Sequence, residues 1–157
     1  MTLRGGILAG LIAGACIASP ALADTNAAAP VGEWAFETAR VNSNCVLSGD
    51  MSIWKARDGL ACRFVATQSC TGQPPITIKV AQTCTATQKG ASIDIVSKID
   101  RTVSVSPKEM KDQVDEFYAP DNFSVRLNKA GDEMTGMFHS LSEAAVRFWR
   151  RNNDLVS

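Results

Sequence analysis

The chain has 157 residues, with 16 Lys and Arg against 16 Asp and Glu, so its formal net charge at neutral pH is zero. This balance offers no basic surface for nucleic acid or anionic lipid, and no charged tail stands out. The length is typical of one domain.

The first 23 residues have the pattern of a cleavable export signal. Arg4 supplies a positive charge, an apolar run extends from Ile7 to Ile17, and Ala21-Leu22-Ala23 forms a small-x-small cleavage site. The apolar run is shorter than the ~20 residues that a membrane-spanning helix needs. We therefore predict residues 1–23 to be a signal peptide and the mature protein to be periplasmic or secreted.

Lipoprotein anchoring is the less favoured alternative. Cys16 could carry a lipid, but Ala13-Gly14-Ala15 before it lacks the large aliphatic residue that such a site prefers. The small and polar residues of 24–31 predict a flexible leader. Residues 32–157 are then predicted to form a single domain.

Four cysteines remain after cleavage, and hairpin geometry favours one pairing of the three that are possible. Residues that face each other in an antiparallel hairpin lie equally far from its turn. The midpoint of Cys45 and Cys70 falls in the turn sequence Ala56-Arg57-Asp58-Gly59, and that of Cys62 and Cys84 falls at Gln73, beside Pro74-Pro75. The other pairings place their midpoints inside strands. We predict disulfides Cys45–Cys70 and Cys62–Cys84.

Apolar and polar residues alternate along the segments that carry the cysteines, which indicates antiparallel strands with one buried face. The predicted inward residues of these three strands are Cys45, Leu47, Gly49, Met51 and Ile53; Leu60, Cys62, Phe64, Ala66, Gln68 and Cys70; and Ile76, Ile78, Val80, Gln82 and Cys84. A short strand with Trp34 and Phe36 precedes them. The strand that follows has predicted inward residues Ile93, Ile95, Ile99, Val103 and Val105, and a hairpin comes after it, with Phe123, Val125 and Leu127 leading to Met134–His139.

One helix interrupts this pattern before the final hairpin. Ser106-Pro107-Lys108-Glu109 has the sequence of a capping box with Pro at the first helical position. Met110, Val114, Phe117 and Tyr118 follow at helical spacing, and Pro120 ends the helix. We expect this helix to plug or flank the sheet.

The last segment has two interpretations. Ala144, Val146 and Phe148 alternate like a strand, whereas Ser140-Leu141-Ser142-Glu143 is a sequence that also caps helices. We predict a strand. The whole pattern then predicts an all-β fold: a small antiparallel barrel of seven or eight strands with one short helix and two hairpin disulfides. A two-sheet sandwich is the alternative.

Catalytic and metal-binding patterns are weak in this chain. His139 has no Gly-x-Ser-x-Gly sequence to accompany it, and Ser140 would point to the opposite face of the same strand. Asp112 and Glu116 lie four residues apart on the predicted helix, as on a solvated helix face. The cysteines lack the short C-x(2–4)-C spacing of zinc sites. We therefore predict a protein that is not an enzyme, with no cofactor and no metal.

Gly32-Glu33-Trp34 resembles the Gly-x-Trp opening of lipocalin-like barrels. In that family the Trp lies over the closed end of the barrel and packs against an Arg of the last strand, and Arg147 and Arg150 stand where that Arg is expected. Bacterial inhibitors of secreted metalloproteases are similar: small exported barrels with this opening, a disulfide and a free leader. The present chain differs in its two tandem hairpin disulfides and in the helix before its final hairpin.

A closed barrel of about eight strands is either filled by side chains or shared with one small ligand. Polar Gln68, Gln82 and Ser97 interrupt the predicted inner face, either because they lie near the barrel ends or because they orient a ligand. We predict a periplasmic binding protein for a small apolar or amphipathic molecule, whose ligand contacts are Trp34, Phe36, Phe64, Gln68 and Gln82. The alternative is a protein-binding module of the cell envelope, inhibitor-like or structural, that acts through its leader and loops.

Overall fold

The structure is a computed structural model that describes residues 28–42 and 44–151. The predicted signal peptide and residues 24–27 of the predicted leader lie outside the described residues. In chain order the strands and helix are β1 (Gly32–Thr38), β2 (Cys45–Ala56), β3 (Gly59–Cys70), β4 (Ile76–Lys89), β5 (Ser92–Ser106), a 3-10 turn (Lys108–Met110), α1 (Lys111–Phe117), β6 (Asn122–Leu127), β7 (Glu133–His139) and β8 (Glu143–Arg150).

The eight strands form one closed antiparallel barrel in which every strand pairs with its neighbours in sequence. Closure comes from the pairing of β1 with β8, where Phe36 lies opposite Phe148. Each strand pairs with two others, so no strand lies at the edge of an open sheet. The predicted all-β barrel is confirmed, in its eight-stranded form, and the sandwich alternative is wrong.

Both predicted disulfides are present. In the β2–β3 ladder Cys45 lies directly opposite Cys70, and in the β3–β4 ladder Cys62 lies directly opposite Cys84. The two hairpins share β3, so the bridges tie three consecutive strands together. The symmetry argument succeeded because each hairpin runs to its turn without an extra residue between the turn and the cysteines.

The inward faces of β2, β3 and β4 follow the prediction. Most of these residues are buried, and the partly exposed ones are Gly49, Leu60, Gln68, Cys70 and Ile76. The last segment is a strand, β8, as predicted, with Ala144, Val146 and Phe148 buried. Alternation predicts these faces well because one side of each strand is held against a single core.

The prediction for β5 is wrong at two positions. Ile99 and Val103 are exposed, not buried, whereas the other predicted inward residues, Ile93, Ile95, Ser97 and Val105, are buried. The β4–β5 ladder shifts register twice, between Lys79 and Val80 and between Ala81 and Gln82, and each shift adds one residue to β5. Alternation holds from Ile93 to Ser97 and again at Val105, but it fails from Ile99 to Ser104, where the two added residues interrupt the two-residue period.

The predicted helix is present, but its start is not a capping box. Ser106 still belongs to β5, where it pairs with Thr77, and no side chain caps the 3-10 turn or α1. Pro107 precedes the turn and is not its first residue. Val114 is the buried residue of α1 and packs with Ile78, Val80 and Val105, the inner residues at one end of β4 and β5. The helix therefore covers that end of the barrel. Within the described residues, no helix is long and apolar enough to cross a membrane.

Candidate ligand cavity

One end of the barrel is sealed by an aromatic–cation pair. The guanidinium of Arg150 lies over the ring of Trp34, 4.2 Å from its centroid, and the indole N–H of Trp34 donates to the Pro30 carbonyl at 2.8 Å. Burial lowers the pKa of Arg150, although Asp132 opposes this shift. The group keeps its charge because an Arg pKa lies far above neutrality. Trp34 and Arg150 therefore pack together across this end of the barrel.

Arg150 also holds the chain that leads into β1. Its guanidinium donates to the carbonyls of Ala29 (3.1 Å) and Val31, and to the carbonyl of Gly131 (2.9 Å). Residues 28–31 of the predicted leader are thus fastened across the sealed end. Arg147, the other candidate partner of Trp34, instead pairs with Glu133 on the outside of the barrel.

The middle of the barrel is filled by phenylalanine rings. Phe36 contacts Phe64, Phe123 and Phe148 at centroid distances of 5.9, 5.4 and 5.1 Å, mostly edge to face. Such contacts are favourable beyond the area they bury, by about 0.5–1.5 kcal/mol each. Three of the predicted ligand contacts, Trp34, Phe36 and Phe64, are therefore packed in the core.

A cavity of about 350 Å³ lies at the opposite end, beneath α1 and the β7–β8 loop. Its walls are mainly apolar, and they include Val41, Leu47, Ile78, Val114, Phe117 and Phe138. The volume lies near the lower limit of small-molecule sites, ~300–1,000 Å³. Gln68, at the end of β3, is the one predicted ligand contact that lines it.

The cavity exists because β5 and β6 separate. Their ladder covers only Ser92–Ile95 of β5, whereas β5 continues beside β4 as far as Ser106. Beyond Ile95 the inner face of the β4–β5 pair has no strand next to it, and α1 crosses this gap. A seven-residue helix fills the gap incompletely, so space remains between α1 and the phenylalanine core.

A buried polar cluster, formed by Gln82, Ser97, Tyr118 and Asp121, fills the point of separation. Gln82 donates to Oδ2 of Asp121 at 2.5 Å, and its own amide oxygen accepts from the Asp121 backbone N–H at 3.0 Å. Ser97 donates from Oγ to the Asp121 carbonyl, and Tyr118 donates to Oδ2 at 2.9 Å. Gln82 thus lies behind Asp121, and Asp121 and Tyr118 line the cavity.

Burial controls the acidity of this cluster. It raises the pKa of Asp121 to about 6, even though the hydrogen bonds from Tyr118 and Gln82 act in the opposite direction. Burial, the nearby Asp121 charge and the hydrogen bond to Asp121 raise the pKa of Tyr118 far above its ordinary value. Tyr118 therefore stays protonated and remains a hydrogen-bond donor at every physiological pH.

Sequence reasoning missed Asp121 and Tyr118 as members of a site. Asp121 directly follows Pro120, and Tyr118 lies at helical spacing with Met110 and Val114, so neither residue stands in a pattern that indicates a site. The available signal was the presence of two polar residues, Gln82 and Ser97, on one inner face. Each needs a buried partner, but the sequence does not say which residue supplies it.

The remaining chemical candidates lie apart from this cluster. His139 contacts Glu143 at 2.9 Å on the exposed rim, and no serine hydroxyl is hydrogen-bonded to its ring in the described part of the chain. Across residues 28–42 and 44–151, no group of three or more His, Cys, Asp or Glu side chains could hold a metal ion. No protein-family model, curated protein or solved structure matches this chain.

Proposed function

We propose that this protein is an exported binding protein whose cavity beneath α1 takes one small apolar or amphipathic molecule. The observation that carries the proposal is the cavity itself, about 350 Å³ in volume, apolar on most of its walls and bordered by a single buried carboxyl group. Binding sites commonly combine such walls with a few polar groups that orient the ligand.

The mouth of the cavity supports the same proposal. Phe117 and Leu141 line it and remain 65% and 80% exposed. Large apolar side chains grouped at an opening are a feature of ligand or partner sites, because a bound molecule removes their surface from water. The lipocalin-like resemblance agrees with this location, since Trp34 and Arg150 seal the opposite end of the barrel.

A periplasmic or secreted location is part of the proposal. It is supported by the two disulfides, which persist in oxidising compartments, and by the export pattern of residues 1–23. Native mass spectrometry of the protein taken from its own cell envelope, without reductant, gives the first test. Extra mass that is released on denaturation would identify a bound small molecule.

A pair of tryptophan variants tests the location of the site. Gln68→Trp fills the cavity at little structural cost, because among the described residues the only hydrogen bond of its side chain is a weak 3.5 Å contact with the sulfur of Cys70. Val65→Trp, on the outer face of the same strand, is the matched control, since Val65 is already 40% exposed. The probe is the neutral dye N-phenyl-1-naphthylamine, whose emission rises in apolar sites.

We expect saturable dye binding to the unaltered chain and to Val65→Trp, and a loss of at least about tenfold in affinity for Gln68→Trp. Equal affinity in both variants would place the dye outside the cavity and contradict the proposal. Phe64→Trp is a poor test by comparison, because Phe64 is 3% exposed and a larger ring there disturbs the core.

A second candidate function is a protein-binding module of the cell envelope. The observation in its favour is the packing of the barrel interior, where the rings of Phe36, Phe64 and Phe123 are in mutual contact. The leader would make the contact. Removing residues 24–27 keeps the Ala29 and Val31 contacts with Arg150, whereas removing 24–31 deletes them. If purified envelope partners bind both deletions as well as the full mature chain, the leader is not the binding segment.

A further inference from the structure

Asp121 is the only charged residue among the described residues that line the cavity beneath α1. The residue is 2% exposed, and two hydrogen bonds fix its backbone. Its N–H donates to the side-chain oxygen of Gln82, and its carbonyl accepts from the hydroxyl of Ser97. Its carboxyl group therefore has little freedom to turn toward solvent. A buried carboxylate without a cation nearby is unfavourable unless a partner is supplied.

The two oxygens of this carboxyl differ. Oδ2 accepts both hydrogen bonds, from Gln82 and from Tyr118. Oδ1 accepts none from the described residues. In that part of the chain no side-chain nitrogen or oxygen is both fully buried and without a partner, so Oδ1 must retain some accessible surface. Because Asp121 lines the cavity and is otherwise enclosed, this surface opens into the cavity.

The lining of the cavity limits what can pair with Oδ1. Leu47, Ile78 and Phe138 offer only apolar surface, and Tyr118 already donates its hydroxyl to Oδ2. The polar side chains of the lining make no hydrogen bond to Oδ1; they are Asn42, Gln68, Gln113, Ser140 and Ser142. The group that completes the site must therefore donate a hydrogen bond, and a cation does so most strongly. The rest of the molecule must be apolar to replace water against these walls.

We infer that the ligand of this cavity is a cationic amphiphile, a molecule whose ammonium group donates to Oδ1 of Asp121 and whose apolar body packs against Leu47, Ile78 and Phe138. This inference rests on the proposed binding function and adds the chemical class of the ligand. A carboxylate amphiphile is excluded from the same site, because its charge would face that of Asp121. A neutral alcohol of equal length can bind, but without the ion pair.

The experiment compares n-octylammonium, 1-octanol and octanoate by isothermal titration calorimetry at pH 7.5, with the mature chain and both disulfides intact. We expect n-octylammonium to bind at least about tenfold more tightly than 1-octanol, the factor expected of one charge-assisted hydrogen bond, and octanoate to bind most weakly. Asp121→Asn should abolish the preference for the cation. An Asn amide oxygen in the place of Oδ2 keeps both accepted hydrogen bonds and turns an N–H donor toward the cavity.

Asp94→Asn is the matched control, since Asp94 lies exposed on β5 and outside the cavity. The preference should persist in this variant. If n-octylammonium and 1-octanol bind equally to the unaltered chain, or if Asp121→Asn retains the preference, the inference is wrong while the binding function stands. If none of the three probes binds saturably, the proposed function fails and the inference fails with it.

A pH titration of the unaltered chain keeps the test independent of how well Asp121→Asn folds. Gln82 from β4, Ser97 from β5 and Tyr118 after α1 face Asp121, and none of them changes charge between pH 4.5 and 7.5. As the pH is lowered from 7.5 to 4.5, Asp121 becomes protonated, and the affinity for n-octylammonium should fall at least about fivefold. The affinity for 1-octanol should stay constant. Parallel behaviour of the two probes would overturn the inference.

Discussion

The buried carboxyl group of Asp121 makes a specific contribution to the pH dependence of stability. Its pKa is raised from 3.8 to about 6, mainly by burial, so the folded chain holds this proton more tightly than the unfolded chain. The contribution is fully present below pH 3.8 and is lost as the pH rises through about 6. A shift of this size corresponds to about 3 kcal/mol at 1.36 kcal/mol per pKa unit. Because Asp121 is only 2% exposed, solvent screening reduces this value little.

The variant Asp121→Asn isolates this contribution from that of the other carboxylates. Its free energy of unfolding, measured in urea without reductant at pH 3.5, 5, 6 and 7.5, is subtracted from that of the unaltered chain. Relative to Asp121→Asn, the free energy of unfolding of the unaltered chain should fall by about 3 kcal/mol as the pH rises from 3.5 to 7.5. The exposed-site variant Asp94→Asn should show no such shift.

Two results would refute this reasoning. A difference that is constant with pH would mean that the hydrogen bonds from Tyr118 and Gln82 offset the burial of the charge. A difference that moves in favour of the unaltered chain at high pH would mean that the ionised form is the one that the fold stabilises. In either case the pKa of Asp121 would lie at or below its ordinary value.

Three further predictions concern the rest of the barrel. Arg150→Lys should lower the free energy of unfolding by about 2 kcal/mol, because a single ammonium cannot replace the forked donors or stack as well on Trp34; equal urea midpoints would contradict this. Gly136→Ala should cost about 3 kcal/mol, since the new Cβ would lie 2.1 Å from the Ser124 carbonyl, whereas Gly72→Ala, with its nearest contact at 3.6 Å, should cost little in the same assay. Replacing both Cys62 and Cys84 by Ala should lower the free energy of unfolding by about 3 kcal/mol, as expected for a loop of 22 residues. A loss below about 1 kcal/mol, the usual effect of removing one buried methyl group, would refute this prediction.

Much of the barrel could be predicted from local pattern. The alternation in β2, β3 and β4 predicted the buried faces, and the two disulfides followed from hairpin symmetry alone. The pairing of Trp34 with an Arg of the last strand was also expected, and the structure selects Arg150 over Arg147. The buried faces and the disulfides depend on a period of two residues and on turns adjacent in sequence, which one strand or hairpin reveals by itself, whereas the Trp–Arg contact is what the lipocalin-like resemblance implies.

The candidate site could be predicted only in part. Gln68 and Gln82 were identified as polar interruptions of the inner face, but Asp121, the partner of Gln82, comes from the connection between α1 and β6. Asp121 and Gln82 are 39 residues apart in the chain, and nothing in either segment marks the other. Trp34, Phe36 and Phe64 were expected around a ligand because aromatic residues serve equally well as core and as pocket walls.

The sequence by itself determined the all-β class and the disulfide pairing, because these follow from periodicity and from turn symmetry. Only the tertiary structure decided where space remains inside the barrel. Two added residues in β5 and its early separation from β6 open one end, and α1 covers that opening incompletely. A cavity is the volume that packing leaves unfilled, so it depends on the simultaneous positions of distant elements, and no local pattern encodes it.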